Sequence, residues 1–290
     1  MTQSGARETG LAVGPTAMHD PIRIGDVEVS VVCEGYAPLE LSDEMPGAEI
    51  DWAVERARYP WAFVGEDAWP WHVHAFALRT PTGLLLVDAG VSPFPPVRPW
   101  AEHTPLEEAL PIAGVDPAEV RMVVHTHLHA DHAGGSVVDG EPRYPNAVHV
   151  EHPADWSRSV GADHPNWARG AMQRLFELGM VDLAEEDREV WPGVRVVHAP
   201  GHTPGHRSVV LDDGDRSMLF TGDLLHTPLQ IAAPERPSNH DVDADEACRS
   251  RVNLVGRALD EGWIVAVSHF ARPFGRVGPS GWVEEPPPKG

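Results

Sequence analysis

His125-Thr126-His127-Leu128-His129-Ala130-Asp131-His132 packs four histidines and one aspartate into eight residues. A helix would spread these side chains around its axis, and a strand would send His127 and His132 to opposite faces. A loop directly after a buried strand can turn several of them toward one point, and loops at strand ends are where α/β architectures place their sites. The apolar run 122–124 supplies such a strand, and Gly134-Gly135 closes the stretch. Neutral imidazoles and carboxylates are what zinc and similar divalent ions accept, at roughly 2.0–2.2 Å. The stretch therefore reads as a metal-binding loop rather than a solvated, histidine-rich turn.

Further candidate ligands stand directly after later apolar runs. His202 sits in Ala199-Pro200-Gly201-His202-Thr203-Pro204-Gly205-His206, where glycine and proline shape a tight turn. Asp223 ends Phe220-Thr221-Gly222-Asp223, and His269 follows Ala266-Val267-Ser268. At strand ends, all of them can converge on one edge of the fold. Around them, residues 22–32 alternate about Gly25-Asp26 and read as a hairpin. Residues 73–79, the turn Thr80-Pro81-Thr82-Gly83 and residues 84–87 give a second hairpin, its latter strand buried on both faces. Thr104-Pro105-Leu106-Glu107 predicts a capping box with proline at the first helical position, and Asp116-Pro117-Ala118-Glu119 a single turn. Residues 194–197, 208–211 and 218–220 read as strands, the last two joined by Asp212-Asp213-Gly214-Asp215, and residues 263–267 as the final core strand. Helices are expected over 166–179 and 243–261, the latter with Cys248, Val252, Val255 and Leu259 on its inner face. Strands followed by helices, twice over, predict two sheets sandwiched between helices.

These ordered motifs resemble the metallo-β-lactamase superfamily: Asp88-Ala89-Gly90 after a strand, the HxHxDH loop, His202, Asp223 and His269. The resemblance spans roughly residues 22–280 and implies an α+β fold, the αβ/βα four-layer sandwich of two mixed sheets flanked by helices. It implies a first metal held by His127, His129 and His202, a second by Asp131, His132 and His269, and Asp223 bridging the two, with Asp88 behind the ligands orienting them. The cofactor expected is two divalent metal ions, zinc first, with iron, manganese or cobalt as alternatives. Such a pair lowers the pKa of a bridging water and polarises a carbonyl, so hydrolysis of an ester or lactone by a metal-bridging hydroxide is expected, with phosphotriesters as a further substrate class. Asp131 orients the hydroxide or shuttles its proton. His226 stands where the acyl-homoserine lactonases of this superfamily carry an assisting tyrosine, so it is the candidate donor to the departing oxygen. His-Val-His-Ala-Phe-Ala-Leu (residues 72–78), Gly222-Asp223-Leu224-Leu225-His226 and Ser268-His269-Phe270-Ala271-Arg272 are most similar to the branch of methyl parathion hydrolase and related lactonases. A thioester hydrolase of the glyoxalase II type, and a non-catalytic metal-binding protein, are the alternatives.

The remaining histidines and aromatics are assigned separately. His125 reads as structural, His206 as either support behind the ligands or turn surface, and His72 and His74 as packing or pocket wall. Asp241 and Asp243 read as helix cap or salt-bridge sites, with Arg249 or Arg251 as partners. In the aromatic stretch 36–71, Trp61, Trp69 and Trp71 are candidates for an apolar substrate pocket, the same surface serving alternatively as packing or as a homodimer interface.

The 290 residues carry 22 basic and 44 acidic side chains, a formal net charge of −22 at pH 7. That balance opposes nucleic-acid binding, which needs a positive footprint. No apolar run approaches the ~20 residues of a membrane span, and Met1-Thr2-Gln3-Ser4 opens no charged-then-apolar leader. A cytoplasmic protein acting on a small-molecule ester or lactone, with neither nucleic-acid nor membrane partner, is expected. Residues 1–20 and the proline-rich tail 281–290 read as flexible ends of a single hydrolase domain over 21–280.

Overall fold

Leu84-Leu85-Leu86-Val87 is apolar at every position because both of its faces are covered. With a side-chain period of two, Leu85 and Val87 enter a core shared with Val209, Leu211, Met218 and Phe220. Leu84 and Leu86 pack instead under Leu106, Ala109 and Leu110 of a helix. One strand thus has a second sheet on one side and a helix on the other, which makes a layered sandwich. The protein is seen here as a computed structural model that describes residues 19–45, 50–91, 99–161 and 168–285.

The first sheet begins with β1 (Ile22–Ile24), β2 (Val27–Glu40), β3 (Ala68–Thr80), β4 (Gly83–Val87), β5 (Glu102–His103) and β6 (Val120–Val124). A two-stranded ribbon, β7 (Val137–Val138) and β8 (Glu141–Pro142), precedes its last strands, β9 (Val148–Glu151) and β10 (Val181–Leu183). Its order is β1-β2-β3-β4-β6-β9-β10 with β5 beside β2. The β4-β6-β9-β10 half is parallel and the rest antiparallel. The second sheet follows chain order: β11 (Arg188–Trp191), β12 (Val194–His198), β13 (Arg207–Asp212), β14 (Ser217–Phe220), β15 (Ile264–Ala266), β16 (Phe274–Gly278) and β17 (Gly281–Glu284). Only β14–β15 is parallel there.

Helices α1 (Leu41–Glu44) and α2 (Trp52–Arg58) lie between β2 and β3, and α3 (Leu106–Ile112) covers the first sheet. The short α4 (Ala130–Ala133) carries the end of the histidine motif; α5 (Pro153–Ser159) and α6 (Arg169–Glu177) follow β9, and α7 (Leu229–Ala232) follows β14. α8 (Ala244–Asp260) covers the second sheet, packing Leu254, Val255 and Ala258 on Val210, Leu219 and Val265. The four expected layers are therefore present, and both sheets are mixed. No helix among the described residues is long and apolar enough to cross a membrane.

Several local expectations need correction. The capping box at Thr104 does not form: α3 starts at Leu106 with Pro105 as its cap and no side-chain cap bond. α8 is rotated relative to the expected stripe, since Val252 and Leu259 are 47% and 42% exposed while Ala247, Arg251, Leu254, Val255 and Ala258 face inward. The reason is Arg251, polar in the pattern yet fully buried, because Leu224 O and Arg236 O at 2.7 Å and Asp241 Oδ2 at 3.0 Å satisfy its guanidinium. Asp243 caps α8 by accepting from Glu246 N, and Arg249 pairs with Glu246 rather than with either aspartate. Gly281–Glu284, counted with the tail, is an ordered strand whose Trp282 is buried. Residues 1–18 and 286–290, read as flexible, and the first two residues of the helix expected at 166–179 lie outside the described residues.

Gly201 shows how tightly the turn that carries His202 sits on α8. Its φ is +130° and a Cβ would meet Ala247 N at 2.0 Å, so Gly201→Ala should lower stability by about 1–3 kcal/mol. Gly256, inside α8, would find nothing within 4 Å of a Cβ, so Gly256→Ala should raise stability by about 1 kcal/mol. Paired denaturant titrations check both signs.

Candidate metal centre

Chain direction brings the candidate ligands to one edge. β4, β6, β14 and β15 all end there, and the β12–β13 turn opens onto it. These ends deliver Asp88, the 125–132 loop, Asp223, His269 and His202 in turn.

Asp223 is the hub. Its Oδ1 lies 3.0 Å from His132 Nε2 and 2.9 Å from His269 Nε2, and its Oδ2 3.2 Å from His202 Nε2 and 3.6 Å from His127 Nε2. On one side, His129 Nδ1 stands 2.9 Å from His127 Nε2 and 3.0 Å from His202 Nε2. On the other, Asp131 Oδ2 lies 3.7 Å from His132 Nε2 and 3.8 Å from His269 Nε2. Two groups result: His127, His129, His202 and Asp223, and Asp131, His132 and His269, each with donor atoms within 4.8 Å of one another.

The spacing fits cations better than a hydrogen-bond network. A tetrahedron built on 2.0–2.1 Å metal–nitrogen bonds has edges of about 3.3 Å, close to the separations above. A neutral imidazole carries one N–H, so it cannot bond every nitrogen aimed at it. His132 Nε2, despite its short approach to Asp223, has no partner in hydrogen-bond geometry. The distal ring nitrogens, by contrast, are tied. Asp88 Oδ2 accepts from His132 Nδ1 at 2.8 Å, and the His72 carbonyl accepts from His269 Nδ1 at 2.7 Å. Each ring is thereby aimed with its other nitrogen at the centre. Asp88 stands in the left-handed region, φ +63°, a conformation costing about 1–2 kcal/mol for a non-glycine residue. Its Oδ1 also accepts from Thr126 N at 2.7 Å, which locks the carboxylate under the loop.

Electrostatics prepare the rings for ligation. Burial, first, and neighbouring imidazolium charge depress His127 well below the usual imidazole range; burial likewise depresses His202, and His129 in lesser measure. Their lone pairs are therefore free at neutral pH. Burial opposes charge on His132, but Asp223, Asp131 and Asp88 outweigh it and hold the ring well above that range. Asp223 is buried too, yet the surrounding imidazoles keep its carboxyl well below the carboxylate range. The cluster is an anionic hub wanting positive charge.

His226 and its support complete the site. His226 Nε2 lies 3.1 Å from Asp223 Oδ2, and its Nδ1 lies 3.0 Å from Glu44 Oε1 and 3.1 Å from Ser238 Oγ. Burial opposes the imidazolium, but Glu44 and Asp223 raise it to about 10. Asp223, His226 and His269 also form a compact donor group of their own. Of the aromatic candidates, Trp71 reaches the site, its ring centroid 4.1 Å from that of His269 and 5.2 Å from that of His226. Trp69 does not: it is buried and packs on Phe63 and Trp52. Trp61 is half-buried against Phe270.

Other assignments resolve in the same way. His206 is buried support, not turn surface: its Nε2 accepts from Asp223 N at 3.0 Å and its Nδ1 donates to Ala199 O at 2.9 Å. His125 is structural, its Nδ1 on His132 O and its Nε2 on His149. Asp241 pairs with Arg251, and its Oδ1 stands 3.6 Å from His202 Nδ1, beyond hydrogen-bond reach but close enough for its charge to act on the ring. Sequence reading missed Glu44 and Asp155. Buried Asp155 accepts from Thr203 Oγ1 at 2.7 Å, Gly205 N at 2.6 Å and Leu128 N at 3.4 Å, tying the histidine loop to the His202 turn. Neither carboxylate lies in a motif, and no local pattern singles either one out.

The family model described as the metallo-beta-lactamase superfamily matches residues 68–269. An N-acyl homoserine lactonase of Bacillus thuringiensis is 26% identical over 179 residues, covering 53% of this chain and 64% of that protein. N-acyl homoserine lactonase AttM of Rhizobium johnstonii is 31% identical over 125 residues, covering 39% of this chain and 44% of its own length. The chain thus spans less than two thirds of these curated relatives. Among solved structures, hydrolase AbOPH of the beta lactamase superfamily superposes with TM-score 0.79 at 22% identity, over 93% of this chain and 98% of that one. AidC, a dizinc quorum-quenching lactonase, superposes with TM-score 0.75 at 21% identity, over 92% and 97%. At such identities these two likenesses are likenesses of fold.

Asp223→Ala should strip most bound metal from the centre, and Asp88→Asn should weaken metal affinity about 10–100-fold by freeing the His132 ring. Elemental analysis after dialysis against graded chelator checks both; unchanged metal retention in Asp223→Ala would contradict the assignment.

Proposed function

Because the chain belongs to the metallo-beta-lactamase superfamily, we propose that it is a dinuclear metal-dependent hydrolase of carboxylic esters or lactones. One observation carries the proposal: six donor side chains, from the 127–132 loop and two later strand ends, gather around Asp223, with the distal nitrogens of His132 and His269 tied by neighbours. His127, His129 and His202 would hold one ion, Asp131, His132 and His269 the other, and Asp223 would touch both. Zinc suits this donor set, as do iron, manganese and cobalt. When bound, such a pair lowers the pKa of water toward neutrality and polarises the substrate carbonyl.

The chain's own residues do the rest. Asp131, whose side chain is 26% exposed, is placed to accept a proton at the mouth of the site. His226 points Nε2 at Asp223 Oδ2, 3.1 Å away, with Nδ1 held by Glu44 and Ser238. It can therefore donate a proton to the departing oxygen, and Glu44 restores the charge that favours the protonated ring. Trp71 lays an aromatic face beside His269 and His226, which suits an acyl chain or an aromatic leaving group. Neither Cys33 nor Cys248 belongs to this set, so no thiol nucleophile is invoked. The lactonase relatives support lactones as the first class to try; phosphotriesters share the demand for a polarised oxygen and an activated water.

The purified protein should hydrolyse members of a lactone, aryl-ester and phosphotriester panel, and chelation should abolish turnover with recovery on adding zinc. Full activity in rigorously metal-free protein would refute the proposal. His226→Gln should lower kcat by about 10²-fold while metal content stays unchanged; loss of metal instead would make His226 a ligand rather than a proton donor.

A further inference from the structure

Behind the centre, β2 and β3 carry a second group of metal-binding side chains that the proposed chemistry does not use. Cys33 stands directly across the ladder from His74, and His72 leaves the same face two residues earlier along β3. A register shift between Cys33 and Tyr36 opens the ladder at this point. The Cys33 Sγ and one ring nitrogen of each histidine lie within 4.8 Å of one another. His72 and His74 are 2% and 1% exposed, yet neither nitrogen of His74 nor Nδ1 of His72 has a hydrogen-bond partner. Buried imidazoles left unpaired are costly and call for an explanation.

We propose that Cys33, His72 and His74 form a further metal site, distinct from the Asp223 centre, which takes a borderline-soft ion of the zinc class. One thiolate and two imidazoles are the mixed sulfur–nitrogen donor set that such an ion prefers over oxygen-seeking magnesium or calcium. A tetrahedron with 2.3 Å sulfur and 2.0–2.1 Å nitrogen bonds has edges of roughly 3.3–3.7 Å, and the three donor atoms lie within 4.8 Å of one another. His19, edge-on to His74 with ring centroids 5.7 Å apart, is the next imidazole able to fill a fourth position. Burial, with a smaller contribution from Glu34 and Glu102, pushes the Cys33 thiol up to about 11, so its thiolate needs a cation beside it. Binding displaces the thiol proton to solvent and forms the metal–sulfur bond, with no change of oxidation state. The Val267 backbone, which acts on the His74 ring, is the kind of group to which a ligating imidazole donates its second N–H. The His72 carbonyl accepts from His269 Nδ1 at 2.7 Å, so an ion here braces the strand that aims His269 without entering the reaction.

Cobalt distinguishes the two sites, because the Asp223 centre contains no sulfur. Cobalt-loaded protein should show a thiolate-to-cobalt charge-transfer band in the near ultraviolet. The band should vanish in Cys33→Ser, with loss of one metal equivalent per chain, and weaken in His74→Ala. It should persist in Cys248→Ser, whose thiol faces the Glu235 carbonyl, and in Asp223→Ala, which empties the other centre. Absence of the band from the loaded wild type, its survival in Cys33→Ser, or undiminished metal content in that variant would overturn the proposal. Should Cys33→Ser fail to fold, alkylation of Cys33 in the Cys248→Ser protein gives the same answer: zinc should slow it at least 10-fold, and a rate indifferent to zinc counts against the site.

Discussion

A single buried carboxylate, Asp223, organises this protein. Four imidazoles approach it within 3.2 Å, from His132, His202, His226 and His269, each delivered by a different part of the chain. Removing a carboxylate from water is costly unless positive charge meets it. Every neighbouring ring is arranged to supply that charge directly or to hold a cation that does. The strain at Asp88 and the close packing of Gly201 on α8 are tolerable because the surrounding structure holds both in place.

The rings around Asp223 are themselves held by an outer set of groups. Asp88 fixes His132, the His72 carbonyl fixes His269, Asp155 joins the two ligand loops, and Glu44 fixes His226. Three of these supports are carboxylates, so part of the −22 net charge is spent inside the molecule rather than on its surface. Buried carboxylates at two depths favour cations between them.

The inner geometry also separates roles that look alike in one dimension. His125, His206 and His132 are all buried, but His125 and His206 have their nitrogens engaged by protein groups, while His132 keeps Nε2 free. Among the tryptophans, Trp71 faces the histidines and Trp69 faces Phe63, although they are two residues apart on one strand. Arg251 inverts the usual pattern, a charged side chain on the buried face of α8 because four acceptors await it.

The sequence by itself determined the layers and the donor side chains that gather at one edge. Period-two apolar runs mark strands covered on both faces, and metal chemistry needs particular side chains at strand ends, so HxHxDH, His202, Asp223 and His269 were legible as local patterns. The register of α8, the role of His206, the separate fates of Trp61, Trp69 and Trp71, and the supports Glu44 and Asp155 were decided only by tertiary structure. Glu44 and His226 meet across 182 positions of chain, and Asp155 reaches Gly205 across 50. Such contacts arise from packing of distant elements, which imposes no period or spacing on the residues that make them.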